Sequence, residues 1–315
     1  MVTGETNAPT ASCIPGIAGF LFVNEYNLFK GNVGALLNLY HRVKDTRAAK
    51  IVIFQPSVRL SLFLSLTGIP TYALYPVSRK RPRHLRGGAP WEPLAPRYVA
   101  EQYLALAQEA GGVPDGVQLD FLIPPDAPSA ETLVGGRERR HYVVVAPGGG
   151  VNPRDDVPAK RPPEALFAAV IHDLVHQFQR KVVLVGGPPD KPRCDALAAG
   201  HPDRVVNLAG QTNVAALGRV IEGAHYVVTT DSLPLHIAVA LGKKFIALFS
   251  CTSPRSLLPA ALLPEAVTSP VDCAPCYSNA VFPGCRNRAK FVCRETIPID
   301  AVRTLIRKYE GRRGP

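Results

Sequence analysis

The carboxy-terminal half of the chain alternates short apolar runs with segments of helical periodicity, and this pattern restricts the fold most strongly. Runs with the length and branched apolar composition of buried strands cover residues 141–146, 182–185, 205–208, 226–230 and 245–249. The segments between them carry apolar side chains three and four residues apart, as amphipathic helices do. Strands that alternate with helices form βαβ units, so we predict an α/β fold with a parallel sheet and ligands at the carboxyl ends of its strands.

The composition is that of a soluble globular protein. The chain has 315 residues, of which 46% are apolar and 19% charged. This length is enough for about two domains. No segment reaches the about 18 consecutive apolar residues of a membrane helix, and no basic region precedes the first apolar stretch as in a signal peptide. We therefore expect neither a membrane span nor a secreted protein.

The amino-terminal half has a weaker pattern. Strands are predicted at residues 19–23 and 50–54, with a helix at 33–43 between them. Residues 1–15 are expected to form a flexible tail, and residues 126–140, rich in Pro, Gly and charge, a linker. The remaining segments are expected to be one domain at 16–125, a second at 141–298 and a basic helix at 299–315.

Basic residues outnumber acidic ones. The 36 Lys and Arg against 25 Asp and Glu give a net charge of +11. Such a charge favours an anionic partner, which is a nucleotide, a phosphorylated glycolipid, a membrane surface or nucleic acid. The chain has neither a recognition helix nor an aromatic stacking surface, so we expect no nucleic-acid partner. Five basic side chains crowd one short segment: Arg79, Lys80, Arg81, Arg83 and Arg86.

Two loops that follow predicted strands carry the residues best suited to bind an anion. The first is Pro147-Gly148-Gly149-Gly150, with Lys160 ahead of the next helix. Glycines let a backbone approach a phosphate, and free amides at a helix start attract negative charge. The spacing matches neither a Walker loop nor the dinucleotide fingerprint. A plain turn with an exposed lysine is the alternative interpretation.

The second loop is Thr229-Thr230-Asp231-Ser232, followed by His236. It brings hydroxyl, carboxylate and imidazole groups to the carboxyl end of a strand, where ligands bind in α/β proteins. The alternative is that Asp231 and Ser232 cap a helix and that His236 packs within it.

Four motifs occur in order along this half of the chain, and together they resemble glycosyltransferase family 9, the heptosyltransferases of lipopolysaccharide assembly and their relatives. The motifs are Pro147-Gly148 with Lys160-Arg161-Pro162-Pro163-Glu164, Asn207-Leu208-Ala209-Gly210, Asp231-Ser232 with His236, and Ala247-Leu248-Phe249. The resemblance covers residues 140–300 well and is weak over 16–125.

The resemblance implies a GT-B-like fold of two Rossmann-like domains with parallel sheets, the amino-terminal one reduced. Residues 16–125 would handle the acceptor, and residues 141–298 would bind a nucleotide-sugar. The family reaction is an inverting transfer of a sugar, here a heptose carried by ADP, to a lipopolysaccharide, oligosaccharide or protein acceptor. We expect a cytoplasmic location, with peripheral contact at the inner face of the inner membrane as an arrangement that suits an anionic glycolipid.

The resemblance also assigns the donor site residue by residue. Lys160 corresponds to the lysine that neutralises the donor diphosphate, and Asp231 to the aspartate that holds the donor sugar. A site of this kind stabilises the negative charge of a leaving nucleoside diphosphate. Asp190 is expected at the ribose, and the remaining donor-site positions are Gly149, Thr230, Ser232 and His236.

The chain departs from the family pattern at two positions that bear on catalysis. Leu233 replaces a glycine beside the phosphates, and Asn32 stands where the family has the aspartate expected to be the general base. An asparagine cannot accept the acceptor's proton, so Glu25 and Asp45 are the substitutes considered. A second interpretation stays open: a catalytically silent relative that binds a nucleotide-sugar or a partner protein.

Four cysteines form a compact cluster near the carboxyl terminus: Cys273, Cys276, Cys285 and Cys293. Four thiolates at such spacing suit tetrahedral zinc or iron, and reduced thiols or disulfides are the alternatives. Family relatives that modify autotransporter proteins carry a similar iron-binding segment. We predict a structural zinc or iron ion on these cysteines and no catalytic metal.

Overall fold

The computed structural model describes residues 1–92, 97–135, 141–150, 157–277, 282 and 284–311. The chain divides into two compact units. The amino-terminal unit contains Met1–Ala8, Ala18–Gln118 and Arg255–Ala260. The carboxy-terminal unit contains Pro9–Ile17, Leu119–Pro254 and Ala261–Pro315.

The amino-terminal unit has two small parallel ladders. Strand β1 (Val2–Gly4) pairs with β2 (Leu21–Val23), and β3 (Ile51–Ile53), β4 (Thr71–Pro76) and β5 (Gly87–Trp91) pair in that order. The helices are α1 (Glu25–Phe29), α2 (Val33–Asp45), α3 (Val58–Ser65) and α4 (Val99–Glu109). The side chains of Asn24, Asn32 and Ser57 accept hydrogen bonds from first-turn amides and fix the starts of α1, α2 and α3.

Both faces of the three-stranded sheet are covered. Val43 of α2 and Leu64 of α3 belong to the same buried cluster as Ala73 of β4. The next residue, Leu74, packs with Leu106 of α4 in a second cluster. Adjacent residues of β4 therefore face opposite layers, because side chains alternate along a strand.

Two segments expected to lack regular structure contain it. Residues 1–15, predicted as a flexible tail, form β1 and a 3₁₀ helix, Glu5–Cys13. Pairing with β2 holds β1, and the Glu25 carboxylate stabilises the start of the 3₁₀ helix by accepting hydrogen bonds from Glu5 N at 2.9 Å and from Thr6 Oγ1. The predicted linker at 126–140 contains α5 (Ala130–Val134), which Ser129 caps and which buries Ala130 and Val134. Residues 136–140 lie outside the described residues.

The carboxy-terminal unit is built on a six-stranded parallel sheet of order β11-β10-β9-β6-β7-β8. Its strands are β6 (Tyr142–Ala146), β7 (Lys181–Leu184), β8 (Val205–Asn207), β9 (Val227–Thr230), β10 (Phe245–Phe249) and β11 (Ala266–Thr268). The helices that follow β6 along the chain are α6 (Glu164–His176), α7 (Lys191–Ala199), α8 (Val214–Gly223), α9 (Leu233–Ala240), α10 (Pro254–Leu257), α11 (Val292–Glu295) and α12 (Ile299–Tyr309). Of these, α10 lies almost wholly in the segment Arg255–Ala260 that belongs to the amino-terminal unit. Short 3₁₀ helices cover Pro158–Lys160, Pro188–Asp190 and Ala260–Glu265.

The core of this unit explains its apolar strands. Every residue of β6 and β10 is buried, as expected where helices cover both faces of a parallel sheet. Phe167 and Leu174 of α6 pack against one face together with Val302 of α12. The predicted α/β class with parallel sheets is confirmed, and each of the five strands predicted between residues 141 and 249 overlaps an observed strand.

The helix expected at 299–315 spans Ile299–Tyr309, and residues 312–315 lie outside the described residues. Arg180 Nη2 donates to the Glu310 carboxylate at 2.8 Å and holds the end of this helix to the segment before β7. Among the helices of the described ranges, none combines the length and apolar character needed to cross a bilayer.

Candidate functional site

The order of the strands creates a switch point between β6 and β9. From β6 the chain adds β7 and β8 on one side, and it then returns to add β9, β10 and β11 on the other. The loops that leave β6 and β9 therefore diverge, and the crevice between such loops is where open α/β sheets bind ligands. Both predicted anion-binding loops start here, and Thr230 Oγ1 joins them by donating a hydrogen bond to Gly148 O.

The glycines after β6 are required by close packing. A Cβ atom on Gly148 would lie 2.5 Å from Asp190 Oδ1, and one on Gly149 would lie 2.9 Å from Lys160 O. Gly150 has a φ of +68°, in the left-handed region that side chains rarely adopt. The loop can lie this close to Asp190 and the Lys160 backbone only because Gly148 and Gly149 have no side chains.

The Asp190 carboxylate is held beside that loop. Gly187 N donates a hydrogen bond to Asp190 Oδ2 at 2.9 Å, and a Cβ atom on Gly186 would lie 2.7 Å from Asp190 Cβ. Asp190 ends the 3₁₀ helix that follows β7. Its carboxylate is therefore fixed at the carboxyl edge of the sheet.

Lys160 and Asp231 form a close ion pair. Lys160 Nζ lies 3.1 Å from Asp231 Oδ2, and the two side chains are 18% and 8% exposed. Lys160 ends the 3₁₀ turn ahead of α6, and Asp231 directly follows β9. Because both groups are largely removed from water, they attract each other more strongly than a surface pair does.

His236 lies near the second oxygen of the same carboxylate, with its Nε2 atom 3.9 Å from Asp231 Oδ1. Partial desolvation of the ring is the main cause that lowers the pKa of His236; Asp231 opposes this effect and Lys160 adds to it. The imidazole is therefore mostly neutral near neutral pH. Its side chain keeps 39% exposure, which leaves the ring able to contact a ligand.

Helix α9 begins directly after this loop. Ser232 is its N-cap residue, but its hydroxyl lies 3.3 Å from Thr229 Oγ1 and makes no capping hydrogen bond. Pro234 occupies the first turn, where its missing N–H removes no helical hydrogen bond. The amides at the start of a helix attract anions, and residues 232–234 line an adjacent cavity.

A cavity of about 400 Å³ opens at the carboxyl ends of β6 and β7. Of the predicted donor-site residues, Asp190 and Ser232 line it. Those that are not among its lining residues are Gly149, Lys160, Thr230, Asp231 and His236. The cavity and the Lys160–Asp231 pair are thus two neighbouring parts of one crevice, adjacent through Ser232.

Several residues of the cavity wall were missed by the sequence analysis. They are Pro189, Thr212, Asn213, Val214 and Leu217. A signal for them exists, because Thr212 and Asn213 follow the Asn207–Gly210 motif and Asn213 begins a helix. Its Oδ1 atom accepts a hydrogen bond from Ala216 N at 2.8 Å. Leu233, the departure from the family glycine, also lines the cavity and is 42% exposed.

The residues considered for the general base lie in the amino-terminal unit. Asn32 is a helix cap, since its Oδ1 atom accepts a hydrogen bond from Ala35 N at 3.0 Å. Desolvation raises the pKa of Glu25, but hydrogen bonds from Thr6 and from backbone amides outweigh it, and the net pKa is lowered. A general base works best when its pKa is near the working pH. The lowered pKa of Glu25 is further from that range than that of an ordinary glutamate. Asp45 is exposed at the end of α2.

The cysteine loop packs against the end of β10. Cys276 N and Tyr277 N both donate hydrogen bonds to Cys251 O, at 2.9 and 3.0 Å. Cys251 and Cys293 belong to one buried cluster. Cys251, which is isolated in the sequence, therefore lies beside the four clustered cysteines.

The clustered thiols influence one another. Burial raises the pKa of Cys293 to about 11, and the neighbouring Cys276, Cys273 and Cys285 add to this shift. Asn287 Nδ2 lies 3.4 Å from Cys273 Sγ, and Phe291 N lies 3.3 Å from Cys285 Sγ. All seven cysteines are free thiols. Within the described ranges, no three His, Cys, Asp or Glu side chains are arranged as a group that could hold a metal ion.

Comparison with known proteins identifies a family and individual relatives that this chain resembles. Residues 92–282 match glycosyltransferase family 9 (heptosyltransferase). Lipooligosaccharide heptosyltransferase 2 of Haemophilus influenzae is 32% identical over 166 residues, which cover 50% of this chain and 48% of that protein. The chain thus spans about half the length of the curated relatives of this name that it matches.

Solved structures share the fold over nearly the whole chain. Escherichia coli ADP-heptose lps heptosyltransferase II has a TM-score of 0.67 at 19% identity and covers 98% of this chain and 89% of its own. The E. coli heptosyltransferase WaaC with ADP-2-deoxy-2-fluoro heptose has a TM-score of 0.66 at 16% identity, with coverage of 98% and 88%. These likenesses confirm the predicted GT-B-like fold.

The fold therefore defines the class first, an α/β protein with a GT-B-like fold. The match over residues 92–282 then gives the family: the chain belongs to glycosyltransferase family 9, the heptosyltransferase family. The resemblance predicted from the four motifs is confirmed.

Proposed function

We propose that this protein transfers a heptose from an ADP-linked donor to a lipopolysaccharide acceptor. The observation that carries the proposal is the Lys160–Asp231 pair, 3.1 Å apart, at the switch point of a family 9 sheet. The named relatives are heptosyltransferases, and this site offers the charges that such a donor needs.

Lys160 and the start of α9 bind the donor diphosphate in this proposal. An ammonium group and helix amides both stabilise phosphate. As the sugar leaves, the diphosphate gains negative charge, and a cation already fixed beside it stabilises that charge without rearrangement. Asp231 accepts hydrogen bonds from the hydroxyls of the sugar, and the neutral His236 ring completes that side of the site.

The cavity beside this pair takes the nucleoside. Its volume of about 400 Å³ lies in the range of ~300–1,000 Å³ that is usual for small-molecule sites. Asp190 accepts hydrogen bonds from the ribose, while Val185, Val214 and Leu217 offer apolar contact to a base. The ligand named with WaaC is an ADP-heptose analogue, which supports adenine as that base.

The proposed transfer inverts the anomeric carbon. The acceptor hydroxyl oxygen forms a bond to this carbon from the face opposite the diphosphate. The bond from the carbon to the diphosphate oxygen breaks, its electrons leave with ADP, and the hydroxyl proton passes to a base. Glu25 is engaged with Glu5 and Thr6, so Asp45 remains the candidate for this base in the amino-terminal unit.

The proposed acceptor is an anionic glycolipid, because the net charge of +11 favours an anionic partner. An oligosaccharide or a protein would use the same chemistry. With a lipid acceptor, the protein would act at the cytoplasmic face of the inner membrane and contact that membrane peripherally.

We also propose that Cys273, Cys276, Cys285 and Cys293 hold one structural zinc or iron ion. The support is that Cys276 packs against the buried cluster that contains Cys293. The described side chains are not arranged as a ready metal-binding group, so the proposed ion would draw the four thiols together. Donors such as Phe291 N at a sulfur atom are typical partners of metal-bound thiolates. The ion would fix the loop against Cys251 and take no part in the transfer.

A catalytically silent, donor-binding relative is the second candidate. Asn32 is used as a helix cap, and no acidic residue occurs between Asp45 and Glu92 to replace the missing aspartate. Such a protein would bind ADP-heptose without transferring the sugar.

The test is release of ADP from ADP-heptose, with and without lipopolysaccharide that lacks heptose. We expect acceptor-dependent release that Lys160→Met and Asp231→Asn each reduce at least ~100-fold. The controls are Lys191→Met and Asp300→Asn, which change exposed residues of α7 and α12. Binding of ADP-heptose without ADP release, with every acceptor supplied, would favour the silent relative.

A further inference from the structure

Two helices of the amino-terminal unit expose apolar side chains that a soluble protein usually buries. Val58, Leu62 and Leu66 recur at intervals of four along α3 and its end, and they are 38%, 50% and 66% exposed. Val33 and Leu37 of α2 are 68% and 48% exposed. Residues four apart lie on one side of a helix, so each helix presents an apolar stripe outward.

The two stripes belong to one surface. Tyr40, one turn beyond Leu37, donates a hydrogen bond from its hydroxyl to Leu66 O at 3.4 Å. Its ring centroid lies 6.0 Å from that of Phe63. Helices α2 and α3 are therefore direct neighbours along their exposed sides. We call these five side chains the apolar face: Val33, Leu37, Val58, Leu62 and Leu66.

Positive charge is concentrated in the same part of the chain. Residues 26–91 contain eleven Lys and Arg against one acidic residue, Asp45. This balance of +10 accounts for nearly all of the net charge of +11. The segment between β4 and β5 provides five of these groups, all exposed, and we call them the basic loop: Arg79, Lys80, Arg81, Arg83 and Arg86.

The basic loop is attached to α3. His84 Nε2 lies 3.0 Å from Ser61 Oγ, and Leu85 packs in the same buried cluster as Leu64. Arg59 is exposed on α3 itself, next to Val58. Arg59 therefore flanks the apolar stripe of α3, and the basic loop packs against the same helix.

We infer that the apolar face and the basic loop form a docking surface for an anionic lipid bilayer. Apolar side chains on an amphipathic surface enter the boundary between headgroups and acyl chains, while Lys and Arg attract anionic headgroups. A second copy of this chain is a poorer occupant, because two such cationic surfaces repel each other. This inference assigns to named residues the membrane contact of the proposed function, on which it rests. Docking needs no bound donor, so vesicle binding and sugar transfer can fail separately.

The experiment is co-sedimentation of the full chain with vesicles of phosphatidylcholine alone or mixed equally with phosphatidylglycerol. We expect at least ~10-fold stronger binding to the mixed vesicles, weakened by added salt. Leu62→Asp/Leu66→Asp and Arg81→Glu/Arg83→Glu should each reduce this binding by ~10-fold or more. Matched controls are Val113→Asp/Leu122→Asp, at sites 96% and 49% exposed, and Arg204→Glu/Arg288→Glu in the carboxy-terminal unit; both should bind as the wild type does.

Thermal melting and ADP titration of each variant test whether the fold and the donor site are intact. Unchanged vesicle binding by both test variants, or equal binding to neutral vesicles, would overturn the inference. A different result would be a dimer in the absence of lipid that Leu62→Asp/Leu66→Asp converts to monomers while vesicle binding stays unchanged. That result would overturn the inference and assign the apolar face to contact with a second copy.

Discussion

Lys160 Nζ lies 3.1 Å from Asp231 Oδ2, and this contact joins the turn ahead of α6 to the end of β9. Thr230 Oγ1 donates a hydrogen bond to Gly148 O, so the end of β9 also contacts the loop that follows β6. The loops that diverge at the switch point are thus held together by one charged and one neutral contact. The first fixes the cation and the carboxylate on which the proposed donor site depends.

Breaking that pair should destabilise the fold. Lys160→Met leaves Asp231, 8% exposed, without its cation, and we expect a loss of about 2–3 kcal/mol in the free energy of unfolding by urea. The double variant Lys160→Met/Asp231→Asn should lose less than the sum of the single variants, because it leaves no unpaired charge. Additive losses would mean that the pair is not coupled. Lys191→Met, in an exposed pair, is the control.

Gly148→Ala should disturb Asp190. The added Cβ atom would lie 2.5 Å from Asp190 Oδ1, and such overpacking costs about 1–3 kcal/mol. Removing the obstacle in Gly148→Ala/Asp190→Ala should recover most of that loss, as measured by thermal melting. Gly200→Ala, where nothing lies within 4 Å of the new atom, controls for the loss of a glycine. An equal loss with and without the Asp190 side chain would show that Gly148 is not packed against Asp190.

Leu233→Gly should strengthen ADP binding. Leu233 lines the cavity at the first position of α9, and removing its side chain lets the diphosphate approach the helix amides. We expect affinity to rise about threefold, measured by calorimetric titration, with Leu233→Ile unchanged as the control. A weaker affinity in Leu233→Gly would show that the leucine contacts the nucleotide favourably.

The stability of the protein should fall with acid partly because of His236. Its pKa is lowered from 6.5, first of all by burial, so below that pH the unfolded chain binds the proton that the folded chain excludes. The contribution of His236 to stability is fully present above pH 6.5. It decreases as the pH falls toward the lowered pKa of the folded state. The pKa values of His201 and His225 are lowered too, so wild type and variant must be compared directly.

The change to test is His236→Gln, which should flatten part of the decline in melting temperature between about pH 7 and 5. His41→Gln, at an exposed position on α2, controls for the loss of a histidine. A His236→Gln profile parallel to that of the wild type would contradict the assignment.

The cysteine loop should carry metal. Protein purified without chelators should contain about one zinc or iron ion per chain by elemental analysis. Cys273→Ser/Cys276→Ser should lose the ion and lower the melting temperature. Cys194→Ser, a buried thiol of α7 outside the cluster, should keep the metal. The proposal would be contradicted if the purified wild type contained no metal and if incubation with zinc or iron did not raise its melting temperature.

The sequence predicted the carboxy-terminal unit well because its parallel strands are buried on both faces and read as unbroken apolar runs. The amino-terminal unit was harder to predict. Strand β5 reads Gly-Gly-Ala-Pro-Trp, which resembles a turn, and only its pairing with β4 makes it a strand. Pro90 is tolerated there because β5 lies at the sheet edge.

The sequence motifs assign residues to the candidate donor site, but they do not predict the contacts among those residues. Lys160 and Asp231 were each assigned from motifs. Their pairing depends on β9 lying beside β6, and neither motif predicts the order of the strands in the sheet. The place of Cys251 beside the cysteine cluster depends in the same way on backbone hydrogen bonds across the fold. Long-range contacts of this kind arise from the topology.

The most direct test of the donor site is calorimetric titration of the wild type and of Lys160→Met with ADP-heptose, ADP, UDP and GDP. We predict binding of the two adenine ligands in preference to UDP and GDP, and a loss of affinity of about tenfold or more in Lys160→Met. Equal affinity for the adenine, uracil and guanine nucleotides would contradict the proposed donor site, and so would unchanged affinity in Lys160→Met. So would a wild-type protein that binds none of the four.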